Sequence, residues 1–468
     1  MRAIGKPDVR ALLTDLFHFA VRAAAPGPLV EKALDRERLG TARPWIIAIG
    51  KAANPMATAA VNVLERSGAE PAGGVIVEPG AAGLDPASLS GSISPHPSIT
   101  IATGDHPEPG TGSLLAGARI GEVARLARTS KEVWVLLSGG ATSLAASPVD
   151  GIPPAHLKTV FALLQGSGLD ISAMNTVRKR FSRWGAGRLA AALYPARVRV
   201  LVVSDVIGDD LAAIGSGPCV PDESTAADVR RILADAGLWQ RTPETIRAQL
   251  TRTERDASFE TPKRGDPCFL SVQTTIIANN RTALDGAAWR ARELGIQAVV
   301  QTAPISGDAA SAGILLARAL SSHVATGAPA AGPGALSCLI AGGETVVKLQ
   351  GTKAVSRDLR EAPLGGRCQE LALSAARVLG AMTGKGHALL AAGTDGRDGP
   401  TDAAGAIVDE TTWGRIQSAG RIPDDDLAMH DSYIALNSAG ALLRTGLTGT
   451  NVADVVIASQ TCVLESSS

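Results

Sequence analysis

Short runs of β-branched and aliphatic residues alternate along this chain with stretches of helical periodicity, and no other feature restricts its fold so strongly. Trp45–Ile49, Gly74–Val77, Val133–Leu137 and Val198–Ser204 read as strands, with helical stretches at Ala53–Arg66, Ser113–Arg128, Pro154–Leu164 and Asn175–Leu193 between them. These runs are apolar throughout, which implies burial on both faces and a parallel, doubly wound sheet. Two helices, Ala226–Ala236 and Pro243–Arg252, lead into a polar, unpatterned segment, 253–267, that reads as a domain boundary. A second set follows, with strands at Val272–Ala278, Ala298–Thr302, Leu336–Ala341, before Gly393 and at Val452–Ile457. Its helices are read at Thr282–Leu294, Ala309–Leu320 and Gln369–Leu379, and Thr345–Leu349 is expected to pair with the Leu336 strand. A Gly/Pro/Ala-rich link is read at 326–334, and 464–468 reads as a disordered end. The expectation is an α/β protein with one domain over 1–255 and a second, smaller α/β domain over 268–460.

Composition narrows the function. Aromatic residues are only 3% of the chain, so its core must be built from Ala, Val, Leu and Ile. Forty-five basic and 45 acidic residues cancel, which argues against a general nucleic-acid or membrane-binding surface. The five cysteines are scattered without metal-ligand spacing, so neither a zinc site nor a disulfide framework is expected and a reducing, cytoplasmic setting fits. Leu12, Leu13, Leu16, Phe17 and Ala20 recur as an amphipathic first helix rather than a signal core.

Several predicted strands end in glycine-rich loops. Lys51 follows the first, in Gly50-Lys-Ala-Ala53, and reads equally as a phosphate contact or a surface turn residue. Gly139 and Gly140, followed by Thr142 and Ser143, form the best anion cradle, because free amides and hydroxyls all donate. Asp205 stands at a strand end, where it can hold Mg²⁺ or accept a hydroxyl proton, while Asp209 and Asp210 read as caps of the turn behind it. Gly342, Gly343 and Glu344 form a further phosphate loop, and Thr394 and Asp395 open an aspartate-rich loop that continues through Asp398 to Asp402. Arg367 starts a helix, where the dipole disfavours a cation unless an anion faces it. Histidines 96 and 106 lie in Pro-rich loops with no hydrolase partner in view.

Two stretches invite misreading. Gly185-Ala-Gly-Arg-Leu-Ala190 matches a dinucleotide fingerprint in letters, but a basic, helix-like stretch precedes it where an apolar strand is required, so the glycines read as close-packing positions. The cluster Arg178, Lys179, Arg180, Arg183 and Arg188 reads as a solvated helix face, with Arg178 and Lys179 able to turn inward toward an anionic substrate.

Taken in order, the words Gly50-Lys-Ala-Ala53, Thr103-Gly-Asp-His-Pro107, Ser138-Gly-Gly-Ala-Thr-Ser143, Asn175-Thr-Val-Arg-Lys179, Ser204-Asp-Val-Ile-Gly208, Gly215-Ser-Gly-Pro218, Gly342-Gly-Glu-Thr345, Gly366-Arg-Cys-Gln-Glu370, Ala392-Gly-Thr-Asp-Gly396 and Thr448-Gly-Thr-Asn451 resemble the glycerate 2-kinase family with its C-terminal MOFRL domain. The chain departs from the family pattern at Cys368 and Leu447. The resemblance implies a Rossmann-like first domain, a MOFRL region over about 336–457, and an active site in the cleft between domains. It implies ATP-dependent phosphorylation of D-glycerate at its 2-hydroxyl, with Mg²⁺ and no nucleic-acid or membrane partner, and leaves a homodimer open. Catalytic positions carried over are Lys51, Asp205 and Arg367; read with the residues themselves, Lys51, Arg178 and Arg367 are the expected substrate contacts and Asp205 and Asp395 the expected metal contacts. A nicotinamide-dependent hydroxypyruvate reductase and a non-catalytic hydroxy-acid sensor are the competing readings.

Overall fold

The computed structural model describes residues 8–35, 43–80, 93–106, 108–321, 336–348, 363–382 and 386–461. The link at 326–334, the end at 464–468, Pro107, Leu349 and Cys462 fall outside them. Two compact units are formed, one from Pro26 to Ile277 and the other from residues up to Ala25 together with those from Ala278 onward.

The first unit is built on strands β1 (Trp45–Ile49), β2 (Gly73–Pro79), β3 (Ile99–Gly104), β4 (Glu132–Leu137), β5 (Arg197–Val203) and β6 (Val272–Ala278), in the order β3-β2-β1-β4-β5-β6. Neighbouring strands from β3 to β5 run parallel. This is the strand order of a dinucleotide-binding sheet, whose direction of winding reverses between β1 and β4. Ile46, Ile47, Val75, Ile76, Val133 and Trp134 are fully buried, as continuous apolar strands covered on both faces must be. Strand β3 was missed in the sequence because Ile99-Thr-Ile-Ala-Thr103 is short and partly polar; its residues are buried less evenly than those of β1 or β4.

One long predicted helix, Asn175–Leu193, is in fact two, Ile171–Phe181 and Arg188–Leu193. Ala186 and Gly187 between them take left-handed backbone angles, which helix cannot propagate through. The basic residues here are not a solvated face. Lys179 pairs with Asp222 at 2.8 Å, Arg180 with Glu260, and Arg183 with Asp150. Arg188 donates to the carbonyls of Lys179, Arg180 and Ser182. Periodicity shows that a cation lies on a given helix face, but not that carboxylates from distant segments will cover it.

The second unit holds β7 (Gln297–Val300), β8 (Leu336–Gly343), β9 (Ala388–Gly393), β10 (Gly405–Asp409), β11 (Leu442–Leu443) and β12 (Asp454–Thr461), in the order β11-β10-β9-β12-β8-β7. Only β7 and β8 pair in parallel; the other neighbours are antiparallel. Val346 bridges Asp308, not β8 as expected. The helix Arg367–Leu379 is buried along most of its length against β9 and β10.

The division differs from the one read at 255–268 in two respects. Strand β6 completes the first sheet, and the amphipathic helix Val9–Ala23 packs in the second unit. There it lies on helix Asn280–Glu293, where a methyl at Gly286 would come within 2.3 Å of the Ala23 Cβ and Arg290 reaches Asp15 at 2.7 Å. An apolar stripe demands a partner without naming it. Among the described residues no helix is long and apolar enough to cross a membrane.

Candidate active site

In the first unit the polar loops gather where β1 and β4 end, at the reversal of winding, which is where open α/β sheets bind ligands. Gly50 takes φ +132°, and a methyl there would lie 2.2 Å from Ser138 Oγ. The close approach lets Ser138 Oγ accept from the Ala52 amide at 2.9 Å and Gly139 O accept from the Lys51 amide at 2.9 Å, so the two loops are locked together. Gly140 turns left-handed at φ +84°, and the amides of Gly139 and Gly140 have no acceptor among the described residues. Successive free amides around a left-handed glycine form a concave anion nest.

Lys51 and His106 flank this nest. A methyl on Gly140 would meet the His106 ring at 3.1 Å and the Lys51 Cγ at 3.6 Å. The sequence reading set His106 aside as a histidine of a Pro-rich loop because β3, which delivers it, went unread; the signal was Gly104-Asp-His106 following Ile99–Thr103. Asp105, next to it, accepts from the Ser113 amide at the start of helix Thr111–Ala127 and so braces the loop. Thr142 Oγ1 bonds Ser216 Oγ at 3.0 Å, joining the nest to the loop after β5, while Ser143 turns back to Gly140 O. Asp205 stands half-buried just after β5. Asp210 caps its turn as expected, accepting from the Ala212 amide, whereas Asp209 takes a left-handed angle.

The second unit brings Arg367, Glu344 and Asp454 together. Strand β12 lies between β8 and β9, so Asp454 at its start sits opposite Gly343 and Gly393. Arg367 forks onto both oxygens of Asp454, at 2.6 and 2.9 Å, and its third nitrogen reaches Glu344 at 2.6 Å. Burial opposes the charge on Arg367, and the hydrogen bond and charge of Asp454 more than reverse that, raising its pKa above the ordinary value. The anion demanded by an arginine at a helix start is thus a pair of carboxylates of this chain. Asp454 went unread as a site residue, although a lone acid in Val452-Ala-Asp-Val-Val-Ile457 is a charge that burial must pair.

The aspartate loop divides its labour. Asp398 accepts from the Cys368 and Gln369 amides at 3.1 and 2.7 Å, capping the helix that Arg367 starts. Gly366 permits this, since a methyl there would lie 2.2 Å from the Asp398 Cγ. Burial pushes the Asp398 carboxyl up to about 7 despite the amide bond from Gln369, with Asp454 adding to the rise. Asp402 pairs with Arg444 and Tyr433. Asp395 accepts from the Arg397 amide.

Three expected phosphate contacts here have architectural roles. Gly342 makes room for Asn280, whose Oδ1 would be 2.0 Å from a methyl, and Gly343 for the backbone of Ile305. Thr394 is fully buried, donating to Ala453 O at 2.7 Å and accepting from the Val452 amide at 2.8 Å. Glycine next to hydroxyls looks the same in sequence whether it admits a ligand or a neighbouring chain segment. Among the described residues no group of three or more His, Cys, Asp or Glu side chains is arranged to hold a metal ion.

Residues 12–251 match a domain of unknown function, DUF4147, and residues 337–454 match the MOFRL family. A glycerate 2-kinase of Pyrococcus horikoshii is 35% identical over 96% of this chain and 97% of its own length. The chain belongs to the glycerate 2-kinase family. A glycerate kinase of Thermotoga maritima, solved by crystallography, superposes with a TM-score of 0.80 at 34% identity, covering 97% of this chain and 99% of that one. A protein of Agrobacterium vitis named as a putative hydroxypyruvate reductase is 34% identical over 96% of this chain and 94% of its own length. The fingerprint letters at Gly185 and Gly187 follow a helix, not a strand, and both glycines face packing contacts, with Ser216 and Phe269 respectively.

Proposed function

We infer that this protein is an ATP-dependent glycerate 2-kinase, transferring the γ-phosphoryl group of ATP to the 2-hydroxyl of D-glycerate. The observation that carries this reading is the anion nest of Gly139 and Gly140, flanked by Lys51, at the β1/β4 reversal of a chain from this family. Phosphoryl transfer is achieved mostly by positioning and charge neutralisation. Lys51 is assigned to stabilise charge on the transferring phosphoryl oxygens, the nest amides to hold phosphate, and Asp205 to orient or deprotonate the hydroxyl. Arg367 is assigned through its own unit, as a cation held in one orientation by Asp454.

Mg²⁺ that arrives with a nucleotide takes most of its ligands from phosphate and water and only one or two from protein carboxylates. Such a donor set needs no protein cage, and Asp205 and Asp395 suit it as partly exposed single carboxylates. When bound, the ion neutralises phosphate charge. The four described cysteines, Cys219, Cys268, Cys338 and Cys368, are free thiols, which supports a cytoplasmic setting.

The test is to incubate the protein with D-glycerate, ATP and Mg²⁺ and identify the product. 2-Phosphoglycerate is expected; 3-phosphoglycerate alone would overturn the position of transfer, and oxidation of NADH by hydroxypyruvate without any phosphorylation would replace the reading by the reductase.

A further inference from the structure

We propose that Asn175 and Arg178 form a seat for the carboxylate of the hydroxy-acid substrate; this rests on the kinase reading above and names the group of the substrate that the first unit holds. The two residues stand three apart on helix Ile171–Phe181 and so share one face. Both are half-buried. Neither side chain has a hydrogen-bond or ion-pair partner among the described residues, and the Arg178 Nε is buried without an acceptor. Leaving a buried guanidinium donor unsatisfied is costly; Arg180 Nη2 is buried without an acceptor too, but each neighbouring cation has at least one acceptor for its other donors. Lys179 has Asp222, Arg180 has Glu260, Arg183 has Asp150, and Arg188 has four backbone carbonyls. Arg178 is the member of this cluster with neither an anion nor a carbonyl to accept from it among the described residues, and its burial depresses its pKa with nothing opposing.

What Arg178 does have is Phe161, whose ring centroid lies 5.4 Å from the guanidinium carbon. Such a contact uses none of the N–H donors along the guanidinium edge as hydrogen bonds, so they remain for a ligand. A planar carboxylate is the partner such an edge fits, through two parallel bonds. The Asn175 amide, on the same face, offers both a donor and an acceptor for an adjacent hydroxyl or carboxylate oxygen. The pair therefore matches a small 2-hydroxy acid.

Its placement supports the same ligand. The helix packs against the turn Ile214–Ser216. Beyond the helix, the amides of Ala186 and Gly187 donate to Ser216 O at 2.7 Å and Gly217 O at 2.8 Å. Ser216 in turn holds Thr142 beside the anion nest. One short chain of hydrogen bonds thus ties the segment that follows the Asn175/Arg178 helix to the loop assigned to phosphate.

The experiment compares the parent with Arg178→Gln, Arg178→Lys and Asn175→Ala, measuring calorimetric binding of D-glycerate without nucleotide, and kcat/KM with D-glycerate and with its uncharged amide, glyceramide. The expected result for Arg178→Gln is a fall on the order of 10²-fold in glycerate affinity and in the glycerate-to-glyceramide preference, through KM and with the KM for ATP held. Arg178→Lys should recover part of the affinity and Asn175→Ala should lose less than Arg178→Gln. Equal losses with both substrates, a raised KM for ATP alone, or parent-like binding would each overturn the proposal. If the parent binds glycerate in an Arg178-dependent way yet transfers no phosphoryl group, the seat stands and the kinase reading fails.

Discussion

Arg367 grips Asp454 with two parallel hydrogen bonds, Nε to Oδ2 at 2.6 Å and Nη2 to Oδ1 at 2.9 Å, and so fixes the start of one helix to the start of strand β12. Asp454 is nearly buried while Arg367 keeps about a third of its side chain exposed. The pair therefore braces the loops around it and still presents a cation to solvent.

Asp454→Asn should destabilise the protein by about 2–4 kcal/mol, because it removes one partner of a largely buried pair. Arg367→Lys should cost less, about 1–2 kcal/mol, since lysine keeps the charge but cannot span both oxygens. Both should lower turnover. Urea unfolding midpoints and steady-state rates check this; a fully stable Arg367→Lys variant would show that charge alone matters at this position.

Lys51→Ala should leave the thermal unfolding midpoint nearly unchanged, since the side chain is exposed, and reduce turnover roughly 10²–10³-fold. Near-parental turnover would return Lys51 to an ordinary turn residue whose backbone, not its amine, is needed.

Asp205→Asn keeps size and removes charge. Turnover should fall by at least about 10²-fold with stability preserved. An unchanged requirement for Mg²⁺ in a titration would separate a proton-accepting role from a metal-binding one.

Gly140→Ala adds a methyl at φ +84° that would press on the His106 ring at 3.1 Å. The backbone strain alone should cost about 1–2 kcal/mol, and the displaced amides should raise the KM for ATP more than that for glycerate. A KM for ATP equal to the parent's would remove Gly140 from the nucleotide site.

Glu260 sets an acid limit on stability. Burial would raise its pKa from 4.5, but hydrogen bonds from Arg180 and the Ala226 amide bring it down to about 2. A carboxylate depressed on folding stabilises the protein above its unfolded pKa, and that contribution is lost as pH falls through the folded value. Glu260→Gln should therefore be less stable than the parent at pH 6, with the gap closing between about pH 4.5 and 2. Urea midpoints across that range check the sign; a gap constant with pH would assign the loss to geometry.

Element type was legible wherever local chemistry decides it. The strand Trp45–Ile49 and the helix Ala53–Arg66 run over the same residues in sequence and structure, because a continuous apolar run and a 3.6-residue stripe are properties of adjacent residues. The turns that carry Lys51, Gly139 and Gly140 were legible for the same reason: a glycine turn after a buried strand is a local pattern. What required tertiary structure was every relation between distant segments. Sequence shows that the acid in Val452–Ile457 needs a counter-ion but not that Arg367 supplies it, and it shows glycines at 342 and 343 without showing that Asn280 and Ile305 fill the space. Charge pairing and close packing act through space with short range, so their partners are set only when the sheet order brings β12 between β8 and β9 and β4 beside β1.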